Sequence, residues 1–204
     1  MTASTRKIEL LTAAGTGLYA ACGLGYWIRV AHESDAGPRV MFLLFGGYAA
    51  LGALRLVERR PDPTMLASWT RAALVFIAML FPLAASPEGR LIWSGGWWLA
   101  GAGAVLGILA VLALGSNFDV VPAVRGIVSR GPYQVIRHPG VTAVLIMTGG
   151  FLLVHWSFWN AAILGLTVLV GVVTALLEED LLRRDGRYVE YAGRVRWRFI
   201  PGVA

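Results

Sequence analysis

The side chains capable of polar chemistry are gathered in two stretches of the second half of the chain. Between Gly115 and His138 run Asn117, Asp119, Arg125, Arg130, Tyr133, Gln134, Arg137 and His138, punctuated by Pro122, Gly126, Gly131 and Pro132, with Pro139 just beyond. A segment of about two dozen residues is far longer than an ordinary link between helices, and a bare link carries fewer chemical groups. The second stretch begins with Glu178, Glu179 and Asp180 and continues into a tail holding Arg183, Arg184, Arg187, Tyr188, Tyr191, Arg194 and Arg196. Together they offer carboxylates, guanidiniums, phenols and an imidazole, the groups that hold a charged small molecule by charge-assisted hydrogen bonds. A plainer account also exists. Glu179 and Arg183 are four residues apart, as are Asp180 and Arg184, so an ion-paired helix end explains the acidic trio, and His138 alone could be a satisfied loop histidine.

The elements that must position these groups are apolar helices. Hydrophobic residues make up 57% of the 204 and charged ones 15%, with a mean hydropathy of +0.65. The apolar runs approach the roughly 20 residues that cross ~30 Å of hydrocarbon. Spans are predicted at about Ile8–Val30, Val40–Val57, Leu66–Ala85, Gly96–Leu114, Val141–Val154 and Ala161–Leu177. The fifth is short for a full crossing, and His155 to Asn160 reads as a tight hairpin between the fifth and sixth. The tail from Glu179 to Arg194 reads as an amphipathic helix, with Leu182, Val189 and Tyr188 toward the membrane surface and the arginines toward lipid phosphates. The expected fold is therefore all-α: a polytopic integral membrane protein of about six transmembrane helices with a C-terminal amphipathic cytoplasmic helix. Residues 1–114 form a four-helix N-terminal region and 115–204 the chemistry-bearing region.

Topology follows from the basic residues. With the N-terminus cytoplasmic, all but three of the 18 Lys and Arg fall on the inner side, the exceptions being Arg29, Arg39 and Arg90. That asymmetry supports six spans with both termini in the cytoplasm, and the arginine-rich composition with a single lysine suggests a bacterial inner membrane. The net charge of +6 is accounted for by lipid headgroups, so no nucleic-acid partner is expected. Trp27, Trp69, Trp93, Trp97, Trp98, Trp156 and Trp159 sit where interfacial anchors belong. Gly101, Gly103 and Gly107 suit close helix packing. His32 and His155 fall on the side opposite His138, which excludes a shared haem, and no metal site is expected. Cys22 stands alone, so no disulfide can form within the chain. Spans one to four carry no charge near their middles, which leaves the chemistry to the second half.

Over roughly Leu114 to Gly202 the sequence resembles the isoprenylcysteine carboxyl methyltransferase family, within the wider group that includes membrane phospholipid methyltransferases. The resemblance begins at Leu114-Gly115-Ser116-Asn117-Phe118 (an LG-x-x-aromatic segment). It continues through Gly131-Pro132-Tyr133-Gln134-Val135-Ile136-Arg137-His138-Pro139 (GPY-x-x-x-RHP) and Glu178-Glu179 with Leu182 (EE-x-x-L). Gly186, Tyr188 and Tyr191 fit G-x-Y-x-x-Y, and Arg194-Val195 with Ile200-Pro201 fits the closing RV…IP.

The resemblance implies a methyltransferase whose cofactor is S-adenosylmethionine, bound among membrane helices and cytoplasmic segments, not in a Rossmann domain. It implies cofactor contacts from Tyr133, Gln134, Arg137, His138, Pro139, Glu178, Tyr188 and Tyr191. Tyr133 and His138 would hydrogen-bond polar edges, Arg137 would pair with the carboxylate, and Pro139 would fix the start of the fifth helix. Glu178 or Glu179 would hold the ribose hydroxyls or amino group, and Arg194 would orient a carboxylate acceptor. The partner would be a lipophilic small molecule or lipidated substrate within membrane lipid. Three positions depart from the family pattern: Val141 replaces an aromatic residue, Asp185 precedes the glycine of the FG element, and Thr174 replaces an arginine on the last span. The first two bear on the pocket and hence on the acceptor. Two other classes fit a helical membrane chain of this kind: a reductase using a nicotinamide cofactor, and a non-enzymatic membrane component.

Overall fold

The computed structural model describes residues 88–117 and 127–203, together with residues 51, 54, 55, 85 and 86. The first three predicted spans lie outside the described residues but for a few positions, so the count of six is not addressed by them. Four α-helices follow in order: α1 (Gly96–Leu114), α2 (Pro139–Val154), α3 (Phe158–Leu182) and α4 (Gly186–Arg194). Short 3₁₀ turns at Gly115–Asn117 and Gly131–Gln134 lie between α1 and α2. The described residues contain no strand, only two isolated bridges.

The predicted fourth span coincides with α1, and the helix extends through its 3₁₀ turn to Asn117 as a 22-residue apolar stretch. α3, with 25 residues, is the second helix long and apolar enough to cross a membrane. At ~1.5 Å per residue it reaches about 37 Å. α2 has 16 residues, or about 24 Å by the same rise, shorter than the hydrocarbon core. Its start at Pro139 shows that it does not extend back into the polar segment. Proline suits that first position because its missing N–H would lack a helical partner anyway.

α1 and α2 pack antiparallel, almost backbone to backbone. A Cβ placed on Gly103 would come within 2.7 Å of the Met147 amide nitrogen, and one on Gly150 within 2.5 Å of the Gly96 carbonyl oxygen. Ala100, Ala104, Ala143 and Met147 complete this seam. Without a hydrophobic drive inside lipid, such close approach is how helices gain dispersion contacts. α3 is far less covered by the described residues, and Val168, Leu169, Val173 and Leu176 face outward. Phe158, at its start, is 89% exposed and Trp98 83%, placements that suit interfacial aromatics.

The hairpin is tighter than the predicted His155–Asn160 link, because Ser157 caps α3 by accepting a hydrogen bond from the Asn160 amide. Beside it, Arg90 and Trp156 form an antiparallel bridge, with N–H···O distances of 2.8 and 3.0 Å. The buried Asn160 side chain closes this end. Its Oδ1 accepts from the Ser86 amide at 2.9 Å, while its Nδ2 donates to the carbonyls of Ser86 at 2.9 Å and His155 at 2.6 Å.

The predicted continuous helix from Glu179 to Arg194 is two pieces. α3 runs on to Leu182, the chain turns, and Asp185 caps α4 by accepting from the Arg187 amide at 3.0 Å. Asp185-Gly186 is the cause: aspartate favours a cap over a helix interior, and glycine there weakens continuity. Tyr188 is correspondingly buried and does not lie on a membrane surface. It packs with Tyr191 and Val195 against Ile127, Leu182 and Ala192, while Val189 is exposed.

Candidate active site

The site grows from the end of the α1–α3 bundle opposite the hairpin. Arg130 donates through Nε to the Ala113 carbonyl at 2.8 Å, satisfying one of the carbonyls that a helix end leaves unpaired. Gly131 next adopts φ 58°, a left-handed conformation open to glycine. The turn at Gly131–Gln134 thereby settles on α1, where an added Cβ would stand 3.3 Å from that of Ala113. The chain then runs through Ile136, Arg137 and His138 into α2.

The tail pairs with this segment as a short parallel bridge, Ile136 to Trp197. The Arg137 and His138 amides donate to the carbonyls of Trp197 and Arg198, both at 2.9 Å. Thr142 Oγ1 donates to the Phe199 carbonyl at 2.8 Å, and Tyr191 Oη donates to that of Tyr133 at 2.8 Å. The Arg-His-Pro segment is thus held between the start of α2 and the last ten residues of the chain.

Glu179, only 1% exposed, is the hub of the side chains here. Arg137 Nη1 donates to its Oε1 at 2.8 Å, His138 Nε2 stands 3.2 Å from the same oxygen, and Arg198 Nε lies 3.3 Å from each oxygen. Arg183 Nη2 approaches at 3.5 Å, the helix pair expected from the four-residue spacing. Burying one carboxylate is costly unless cations and hydrogen bonds surround it, and these do. Arg137 donates its other terminal nitrogen to the Arg196 carbonyl at 2.9 Å. Because Glu179 can only accept, His138 carries a proton on Nε2. The Nδ1 side of the ring faces Glu178, whose Oε2 is 3.7 Å away. Glu178 has a side chain 39% exposed.

The structure therefore brings Arg137, His138, Pro139, Glu178 and Glu179 together, with Tyr188 and Tyr191 packed behind them. Gln134 is exposed on its turn, and Tyr133 contributes its carbonyl to Tyr191. Arg194 lies apart from the cluster: its side chain is 67% exposed and 3.9 Å from Glu190 on the outer face of α4. Arg198, which the residue pattern did not single out, takes the inner position. No pattern in the residues singles it out, because it is brought inward by the backbone pairing of the tail with Ile136 after α4 has ended.

Among the buried polar atoms that make no hydrogen bond with the described residues are Asn117 Oδ1, Arg137 Nε and the Tyr188 hydroxyl. Tyr188 lies close enough to Arg137 to feel its charge, and burial pushes its phenol up to about 12, so it stays protonated at neutral pH. Burial also raises Tyr191. Buried polar groups without partners are uncommon and mark places where a ligand's polar atoms can be received.

A family model described as phospholipid methyltransferase matches residues 91–185, the stretch from just before α1 to the cap of α4. No curated protein matches the chain significantly. The matched stretch contains α1, the Gly131–His138 motif, α2 and the Glu178-Glu179 pair, and so most of the buried cluster, while Arg198, Tyr188 and Tyr191 lie beyond it. Two apolar helices of spanning length within it fit a membrane protein. Over that stretch, just under half of the chain, the protein is similar to the phospholipid methyltransferases, a family of membrane methyltransferases.

Proposed function

We propose that the protein is an S-adenosylmethionine-dependent methyltransferase acting on a lipophilic acceptor, with the methyl donor held where α3, the Arg-His-Pro segment and the C-terminal tail converge. One observation carries this reading: the cluster of His138, Glu178 and Glu179 falls within the matched family stretch, with the buried Tyr188 hydroxyl making no hydrogen bond among the described residues. Bound there, the donor supplies a methyl group on a positively charged sulfonium.

The residues present fit such a molecule. Glu178 is accessible enough to accept from ribose hydroxyls or an ammonium, and its charge favours the sulfonium end. Asn117 Oδ1 is an acceptor for an amino group. The Tyr188 hydroxyl, protonated, can both donate and accept. Glu179 is buried among its four neighbours, so Glu178, with a side chain 39% exposed, is the carboxylate that a ligand can reach. His138 is oriented between the two. Alignment of donor and acceptor and exclusion of water supply most of the acceleration such a transfer needs. The acceptor would enter laterally from lipid, which suits a site built at the end of apolar helices. By the distribution of arginines, this end and both termini would face the cytoplasm, and the arginine-rich, lysine-poor composition suits a bacterial inner membrane.

The test is calorimetry of S-adenosylmethionine with the detergent-purified protein and with His138→Ala. Saturable binding is expected, weakened at least about tenfold in the variant, the loss of one charge-assisted contact. Folded wild type that binds none, with or without phospholipid, would overturn the proposal.

A further inference from the structure

Arg198 is anchored at one edge and open at the other. Its Nε is held 3.3 Å from both Glu179 oxygens, and its backbone carbonyl is fixed by the His138 amide at 2.9 Å. Nη1 and Nη2 make no hydrogen bond among the described residues, although the side chain is only 31% exposed. Arg137 differs: its two terminal nitrogens are taken by Glu179 and the Arg196 carbonyl. Charge points the same way. Three guanidiniums (Arg137, Arg183 and Arg198) surround Glu179, and counting Glu178 leaves two carboxylates against them. Among the described residues the cluster is short of one negative charge.

We propose that Arg198 is a ligand-binding residue, its two terminal nitrogens receiving an oxyanion of the bound molecules as a bidentate pair. A planar guanidinium already fixed through Nε loses little freedom on binding, and its fork matches carboxylate or phosphate oxygens. Two sources offer that chemistry, the carboxylate of the methyl donor and the phosphate of a lipid headgroup. The assignment rests on the methyltransferase reading for the identity of the ligand, but not for the presence of the receptor.

Calorimetry on wild type, Arg198→Ala and Arg198→Lys separates the cases. The probes are S-adenosylmethionine, its decarboxylated analogue, and detergent micelles carrying either phosphatidylethanolamine or diacylglycerol. If the carboxylate is the oxyanion, Arg198→Ala weakens the intact donor about ten- to a hundredfold and leaves the decarboxylated analogue unchanged. If the phosphate is, the same loss appears for phosphatidylethanolamine and not for diacylglycerol. Either result supports the proposal, and Arg198→Lys, which keeps charge without the fork, should recover only part of the loss. Unchanged binding of both the donor and the phospholipid by folded Arg198→Ala would overturn the proposal while leaving the methyltransferase reading intact. Equal losses for each ligand and its control would also overturn it, since they show a disturbed tail and not a lost oxyanion contact. A wild type that binds phospholipid through Arg198 but never the donor would end the methyltransferase reading and keep the receptor. Binding of neither by wild type would end both.

Discussion

The two ends of the helix bundle solve one structural problem with opposite chemistry. Each must fasten a non-helical segment to helix termini, and each does so with a single bridge: Arg90 to Trp156 at the hairpin end, Ile136 to Trp197 at the motif end. Each adds one buried polar side chain from α3 as a fastener. At the hairpin end this is Asn160, neutral, with Oδ1 and both donors of Nδ2 engaged by backbone groups. At the motif end it is Glu179, charged, serving Arg137, His138 and Arg198. The first fastener is closed, since the Asn160 oxygen and both its amide hydrogens find backbone partners. The second leaves open nitrogens on Arg198, an accessible Glu178, and unpaired buried atoms on Asn117 and Tyr188. A saturated network explains itself as structure. An unsaturated one, at comparable burial, points to a ligand.

The sharpest way to break this contrast is to neutralise the two adjacent glutamates separately. Glu179→Gln keeps the shape but leaves three arginines and a histidine around a neutral amide, and breaking such a buried network costs about 3–5 kcal/mol. Thermal unfolding in detergent should move down accordingly, with donor binding lost alongside. Glu178→Gln should leave the unfolding temperature almost unchanged while weakening donor binding about tenfold, as expected for one exposed charge-assisted contact. Equal destabilisation by the two substitutions would mean that both glutamates are structural, and the division of labour would be wrong.

A smaller effect is expected at the other end. Asn160→Ala strands the Ser86 and His155 backbone groups, for a loss of about 1–3 kcal/mol. Donor affinity should be untouched, because the site lies at the far end of α3, roughly 30 Å away at 1.5 Å per residue. Thermal unfolding paired with calorimetry measures both. A fall in donor affinity comparable to that of Glu178→Gln would show the two ends to be coupled, and the comparison would lose its meaning.

What could be read in the residues divides along the same line. α1 and the existence of α2 and α3 follow from apolar runs alone, since hydrocarbon demands length and little else. The Arg-His-Pro and paired-Glu segments were legible as chemistry because lipid-facing sequence offers so few charges that any cluster stands out. Which glutamate turns inward was not legible. Neighbouring helix positions differ by about 100°, and only packing against Arg137, 42 residues earlier, decides between them. Arg194, not Arg198, matches the closing RV…IP of the resemblance, but it ends on the exposed side of α4, whereas the chain after it is extended and pairs with Ile136 by backbone contacts that no side-chain pattern announces. The saturated fastener at Asn160 went unnoticed too, because a lone asparagine beside a turn carries no signature of its partners.

The smallest effect vanishes at neutral pH and concerns the tail alone. Burial raises the Tyr188 phenol to about 12, and Tyr191 is raised in the same direction. In an unfolded chain both would release their protons near pH ~10. A group whose folded value is raised contributes its stability fully below the unfolded value and loses it as pH climbs through the folded one. The packing of α4 and the 195–199 segment should therefore hold up to about pH 10 and loosen as the pH approaches about 12. Asn160, Ser86 and Ser157, which fasten the hairpin end, carry no titrating group, so that end should not respond. Tyrosinate absorbance followed together with protease cleavage of the tail tests this directly. Tyrosinate forming near pH ~10 with the tail still protected would mean that Tyr188 and Tyr191 are solvated in the folded protein. The motif end would then owe its order to the Glu179 cluster alone.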